Sequence, residues 1–207
     1  MNDKISAIKN WLGTGSINIF GLPMSGKDTQ GIRLAGTLDA KFLSSGLIIR
    51  AKEKELGKDY SEHGSLIPTN VFYEWVLPYF ERQDLYDYPL ILSSIGRWSG
   101  EETTVMTTAA SAGHEIKAVI FLDIPEDAVK QRFEMAKTLN DRGDRKDDTD
   151  PATFQTRLEE FGIKTQPVIQ KYRELDLLIE VDGNQDRNSV FNEIIEKLYQ
   201  RAVESHS

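Results

Sequence analysis

Cysteine is absent from the 207 residues, which excludes a disulfide framework and any thiolate-ligated metal site. Histidine is scarce, and His63, His114 and His206 are too dispersed in sequence to suggest a metal cluster; His63 and His114 are expected in loops or at the surface. Positive charge is in deficit, with 25 Lys and Arg against 33 Asp and Glu and a net charge of −8. That balance argues against a nucleic-acid partner, because such affinity rests on neutralising phosphates with Lys and Arg, and leaves room only for a local arginine pocket. Long apolar runs are also missing. The N-terminal stretch with Ile5, Ile8, Trp11 and Leu12 is too short and polar for a signal peptide or membrane span, so it is expected to pack back as a short helix, with the protein cytoplasmic and without a membrane partner. Neither an internal repeat nor a low-complexity region stands out.

What is present is enough for a core. With 39% hydrophobic residues, a chain of this length forms one domain over 1–207. Short β-rich apolar runs at 17–20, 41–43, 90–92, 119–122 and 177–181 alternate with helix-patterned segments. This pattern predicts an α/β fold with a doubly wound, five-stranded parallel sheet. The core is expected over 16–43, 89–136 and 149–204. A helix from about Asp28 is expected to bury Ile32, Leu34, Ala35 and Leu38. Another should start at Asp150-Pro151, where the acid caps and the proline fits the first turn, and carry Phe154, Leu158, Phe161 and Ile169. The insert 44–88 is long enough for a helical flap. The insert 137–148, charged and containing Arg142, Gly143 and Arg145, reads as a short lid, the plainer reading being a solvated loop.

The most informative segment follows the first strand: Gly21, Leu22, Pro23, Met24, Ser25, Gly26, Lys27, Asp28, Thr29 and Gln30. A strand, a glycine-bounded loop and a helix start can turn successive N–H groups around a polyphosphate, with the helix dipole and the lysine adding positive charge. Lys27 stands where it reaches the β- and γ-phosphates, and the Thr29 hydroxyl is a candidate neighbour of Mg2+.

Taken together with later segments, these residues resemble the adenylate kinase family of nucleoside monophosphate kinases, from about residue 16 to 198. The loop is similar to the family's Gly-x-Pro-x-x-Gly-Lys-Gly-Thr-Gln. Ser44-Ser45-Gly46-Leu47-Ile48-Ile49-Arg50 resembles its Ser-Thr-Gly-Asp-Met-Leu-Arg. Gly64-Ser65-Leu66-Ile67-Pro68 resembles Gly-x-Leu-Val-Pro of the acceptor flap, and Gly96-Arg97 falls at Pro-Arg. Asp123-Ile124-Pro125 with Arg132, the Arg145 segment, Arg157 and Val181-Asp182-Gly183-Asn184 continue the series.

The resemblance implies an ATP-dependent enzyme that transfers the γ-phosphoryl group to a nucleoside monophosphate, AMP first among them, with Mg2+ and as a monomer. It implies ATP binding by residues 21 and 23–30 with Arg132, Gly183 and Asn184. Acceptor binding falls to Ser45, Gly46, Ile49, Arg50, Ile67, Gly96, Arg97 and Glu101. Transfer itself falls to Lys27, Arg97, Arg132, Arg145 and Arg157, since phosphoryl transfer asks mainly for alignment and charge neutralisation. The chain departs from the family at Ser93, where a carboxylate that orients metal-bound water would stand, at Leu47 in the flap, at Ala136 or Lys137 in the lid, and at Glu101, where a glutamine would read adenine. Asp28, beside the lysine, either restores a negative charge near the metal, directly or through water, or serves as a helix N-terminal acid. Glu101 either reads the base or points away and leaves that to Glu102 or backbone. Two other functions stay open: a regulatory nucleotide-binding protein of the same fold, and a kinase for another small acceptor.

Overall fold

A computed structural model describes residues 2–139 and 150–205. Five strands form one parallel sheet in the order β2-β3-β1-β4-β5: β1 Ser16–Gly21, β2 Lys41–Ser44, β3 Leu90–Ser93, β4 Ile116–Asp123 and β5 Leu178–Asp182. Each contains or overlaps one of the apolar runs predicted from sequence. Their near-continuous apolar character follows from burial on both faces. Ile17 and Ile19 of β1 pack with Ala118, Ile120 and Leu122 of β4 on one face, whereas Phe20, Val119 and Phe121 turn to the other.

The first face is covered by α1 (Asn2–Leu12), α2 (Lys27–Leu38) and α9 (Arg187–Glu204). The second is covered by α3 (Ser45–Leu56), α4 (Thr69–Trp75), α5 (Glu101–Ser111) and α8 (Gln166–Glu174). A smaller cluster of Ile124, Val129, Phe133, Phe154 and Leu158 joins α6 (Glu126–Leu139) to α7 (Pro151–Glu160), with Leu22 and Met24 packed against it. The Phe133 and Phe154 rings stack at 4.3 Å. Of the charged insert expected over 137–148, residues 137–139 continue α6 and 140–148 lie outside the described residues.

Three local expectations need correction. Ile32 is 58% exposed; the buried stripe of α2 is Gly31, Leu34, Ala35 and Leu38, whose i, i+3, i+4, i+7 spacing turns Ile32 outward. His114 lies in the loop between α5 and β4, as expected, yet it is fully buried there and not at the surface, its Nδ1 2.9 Å from the Thr14 carbonyl oxygen. The helix from Pro151 is interrupted by a π-turn over Phe161–Thr165 before α8 begins. Pro167 explains the break: it has no N–H to continue the i→i−4 ladder. The predicted start is as expected, with the Asp150 carboxylate accepting from the Thr153 amide at 2.8 Å.

Candidate active site

Parallel sheets of this kind place their sites beyond the carboxyl ends of the strands, where the strand order reverses. Here that point lies at β1, flanked by β3 and β4. A cleft opens beside it, lined on one side by Pro23, Met24, Lys27 and Asp28 and on the other by the flap, the β3–α5 turn and Arg157.

The phosphate loop is shaped for close approach. A Cβ at Gly21 would come within 2.5 Å of Ser25 Oγ, and that hydroxyl is buried without a hydrogen-bond partner. Gly26 ends the loop with φ +89° as the N-cap of α2, a conformation that glycine adopts without a Cβ penalty. Met24 also holds positive φ, at 66°, a strained geometry that clusters at ligand sites. The Lys27 ammonium reaches back toward the Leu22 carbonyl at 3.4 Å. These features fit a polyphosphate wrapped by backbone.

Arg132 clamps this loop from α6. It donates to the carbonyls of Met24 at 3.4 Å, Ser25 at 3.3 Å and Gly183 at 2.9 Å. Partial burial pushes its pKa down, with the nearby charge of Arg187 adding to the effect. Gly183 is buried, its amide on the Asp123 carbonyl at 2.6 Å, while Asn184 is exposed and its amide donates to Asp182 Oδ1 at 2.8 Å. Gln30 is turned away from the cleft and donates to the Arg187 carbonyl at 2.9 Å, tying α2 to α9. Thr29 lies exposed on the first turn of α2.

Across the cleft stand Ser45, Gly46, Ile49, Arg50, Ile67, Arg97, Glu101 and Arg157. Arg50 lies against Gly46, where a Cβ would approach its Nη1 to 3.2 Å. Ser45 Oγ donates to the Ser94 carbonyl at 2.8 Å, fixing α3 to the end of β3. Gly96 sits behind the lining, where a Cβ would press on Val105 at 2.9 Å. The Arg97 guanidinium is pushed down to about 10, first by burial and then by the like charge of Arg157, against the pull of Glu160 and Glu101. Two partly buried guanidinium groups on one cleft supply chemistry that suits an anion.

Glu101 lines this cleft, yet its Oε2 accepts from the Arg97 amide at 2.8 Å and the Trp98 amide at 3.0 Å. It thereby shapes the turn that carries Arg97. Its other oxygen is buried and makes no well-formed hydrogen bond, although the Thr69 hydroxyl lies close enough to lower its pKa.

Several contributors went unread in the sequence. Asn18, in the middle of β1, donates from Nδ2 to the Ile95 carbonyl at 2.8 Å and thereby holds the β3–α5 turn; a lone polar residue inside an apolar strand was the available signal. Trp98 Nε1 donates to the Ile67 carbonyl at 3.1 Å, and Lys164 covers its indole at 3.9 Å. Glu160 accepts from Lys164 and from the Leu66 amide, the latter at 3.2 Å. The flap is thus docked onto α7 and the β3–α5 turn, and it lines one side of the cleft. Arg145 lies outside the described residues.

A family model described as adenylate kinase matches residues 19–177. An adenylate kinase from Streptococcus pneumoniae (strain CGSP14) is 27% identical over 200 residues, covering 85% of this chain and 94% of that protein. Its counterpart from strain Hungary19A-6 is 26% identical with the same coverage. Among solved structures, a gluconokinase from Sinorhizobium meliloti 1021 shares the fold with a TM-score of 0.61 over 93% of this chain and 95% of that one, at 18% identity. The match runs from β1 through the flap, the arginine-lined cleft and α8, and on that extent the chain belongs to the adenylate kinase family of nucleotide-binding phosphotransferases.

Proposed function

We propose that the protein is a nucleoside monophosphate kinase that transfers the γ-phosphoryl group of ATP to an acceptor monophosphate, with AMP the first candidate. The observation that carries this reading is the pair Arg97 and Arg157, crowded with Arg50 on the side of one cleft that faces Lys27. A neutral hydroxyl acceptor gives no return for that crowding; a phosphate dianion does. Arg50 and Arg97 hold the acceptor phosphate. Lys27 and the loop amides hold the donor chain, with Pro23, Met24, Ser25 and Gly26 shaping the cradle. Arg132 and Arg157, with Arg145 from the lid, meet the migrating group. An ionised acceptor phosphate is itself the nucleophile, so no general base is required. Transfer requires that water, a competing acceptor, be kept from the donor.

Oxygen ligands suit Mg2+, and Asp28 and Thr29 supply that chemistry. Among the described residues no group of three Asp, Glu, His or Cys could hold a cation, so the ion would enter on the triphosphate with its waters. When bound it neutralises charge on the β- and γ-oxygens.

The test is ADP formation from Mg·ATP across AMP, CMP, UMP, GMP and their deoxy forms. Transfer to one of these is expected, with Lys27→Ala and Arg97→Ala each losing on the order of 10²–10³ in turnover, as for the removal of one preorganised donor to developing charge. Tight ATP binding without transfer to any monophosphate would sink the proposal and favour a regulatory protein or another acceptor.

A further inference from the structure

We propose that Asp28 admits a polyphosphate to the loop only as its divalent-cation complex, and that Ser93 positions the carboxylate for this role. The inference rests on the reading that the loop binds a nucleoside triphosphate. Asp28 follows Lys27 directly and lines the cleft. Ser93 Oγ, at the end of β3, donates to Asp28 Oδ1 at 2.5 Å, joining residues 65 apart in sequence. Lys27, Arg50, Arg97 and Arg157 line the same cleft, yet Asp28 enters no salt bridge among the described residues.

A carboxylate held by a neutral hydroxyl beside a phosphate cradle has a defined electrostatic consequence. A bare triphosphate entering the loop brings like charge against it, which opposes binding. A divalent cation carried by the phosphates reverses the sign, since Asp28 then faces the cation directly or across its water shell. The same group therefore repels one ligand state and attracts the other, which is selection by repulsion as much as by attraction. Such selection has a use in this cleft. A phosphoryl donor carries the metal and an acceptor monophosphate does not, so Asp28 would keep metal-free nucleotides out of the donor loop. Ser93 Oγ restrains the carboxylate rotamer without cancelling its charge, as a cationic partner would.

Isothermal titration of the full chain with a non-hydrolysable ATP analogue, in Mg2+ and in EDTA, reads this directly. The quantity of interest is the ratio of the two dissociation constants in wild type, Asp28→Asn and Ser93→Ala. Wild type is expected to bind far more tightly with Mg2+. Asp28→Asn keeps an oxygen for the Ser93 hydroxyl but loses the charge. It is expected to bind metal-free analogue roughly tenfold more tightly than wild type and to shrink the ratio by a similar factor or more, in line with the removal of one like-charge juxtaposition. Ser93→Ala should give an intermediate ratio. An unchanged ratio in Asp28→Asn overturns the proposal, and if Tm falls at the same time Asp28 is a helix N-terminal acid and nothing more. A wild-type ratio near one overturns it as well. Failure of the kinase reading looks different: the ratio responds to Asp28 as described while no monophosphate is phosphorylated.

Discussion

Glu101 brings two backbone amides onto one oxygen, at 2.8 and 3.0 Å, and so fixes the turn from which Arg97 projects. Burial pushes its carboxyl above the usual 4.5, against the hydrogen bonds from the Trp98 amide, the Thr69 hydroxyl and the Arg97 amide, which pull it down. The folded protein therefore holds this proton to higher pH than the unfolded chain does. Stability from this group is retained below the unfolded value and declines as pH rises through the window up to the raised folded value. Both amides use the same oxygen, so Glu101→Gln keeps them satisfied and removes the buried charge. Its Tm should exceed that of wild type near pH 7, the difference shrinking as pH falls toward about 4. Thermal denaturation across that range checks the point, and a pH-independent difference would exclude the ionisation as the cause.

At the level of elements, the flap is held by a few contacts that link it to α7, the π-turn and the β3–α5 turn. Gly64 is where it meets α7: its φ is +86° and an added Cβ would lie 2.6 Å from the Thr153 carbonyl oxygen and 3.0 Å from Arg157 Cγ. Gly64→Ala therefore meets both an unfavourable backbone region, costing on the order of 1 kcal/mol, and a collision with backbone that does not yield. The expected outcome is a raised acceptor KM with ATP affinity nearly unchanged, since the donor loop belongs to a different element. Gly57 is the control. It too has positive φ, +62°, but open space around the added Cβ, so Gly57→Ala should lower stability slightly and leave the acceptor KM alone. Equal effects of the two substitutions on acceptor KM would show that flap docking at Gly64 is not what matters.

For the whole molecule, the three-layer core separates stability from chemistry. Helix α1 buries Ile8 and Leu12 completely and Trp11 to 8% exposure in the cluster shared with α2 and α9. None of its residues lines the cleft. Removing residues 2–12 should cost about 5–9 kcal/mol of unfolding free energy, from three large side chains at about 1.5–3 kcal/mol each. Urea denaturation measures the loss, and turnover per folded molecule should match that of the full chain. Reduced turnover at a temperature where circular dichroism is native would instead assign α1 a part in positioning the site. Among the described residues no helix is long and apolar enough to cross a membrane.

Local chemistry was sufficient for much of this protein. The five strands, the phosphate loop between β1 and α2, the Asp150 cap and the helical flap all follow from signals within a few residues of one another, because apolar period, turn residues and caps act over short spans of chain. The order of arginines along the chain was legible only through the resemblance to the adenylate kinase family. Pairings across the fold were not. Asn18 with Ile95 spans 77 residues, Asp28 with Ser93 spans 65 and His114 with Thr14 spans 100, and no local pattern specifies which polar atom meets which. A polar side chain taken from water must find a partner wherever the packed layers bring one. Tertiary structure therefore decided that Glu101 serves the backbone, that Gln30 turns to α9, that His114 lies inside, and that a carboxylate on α2 stands beside the serine that ends β3.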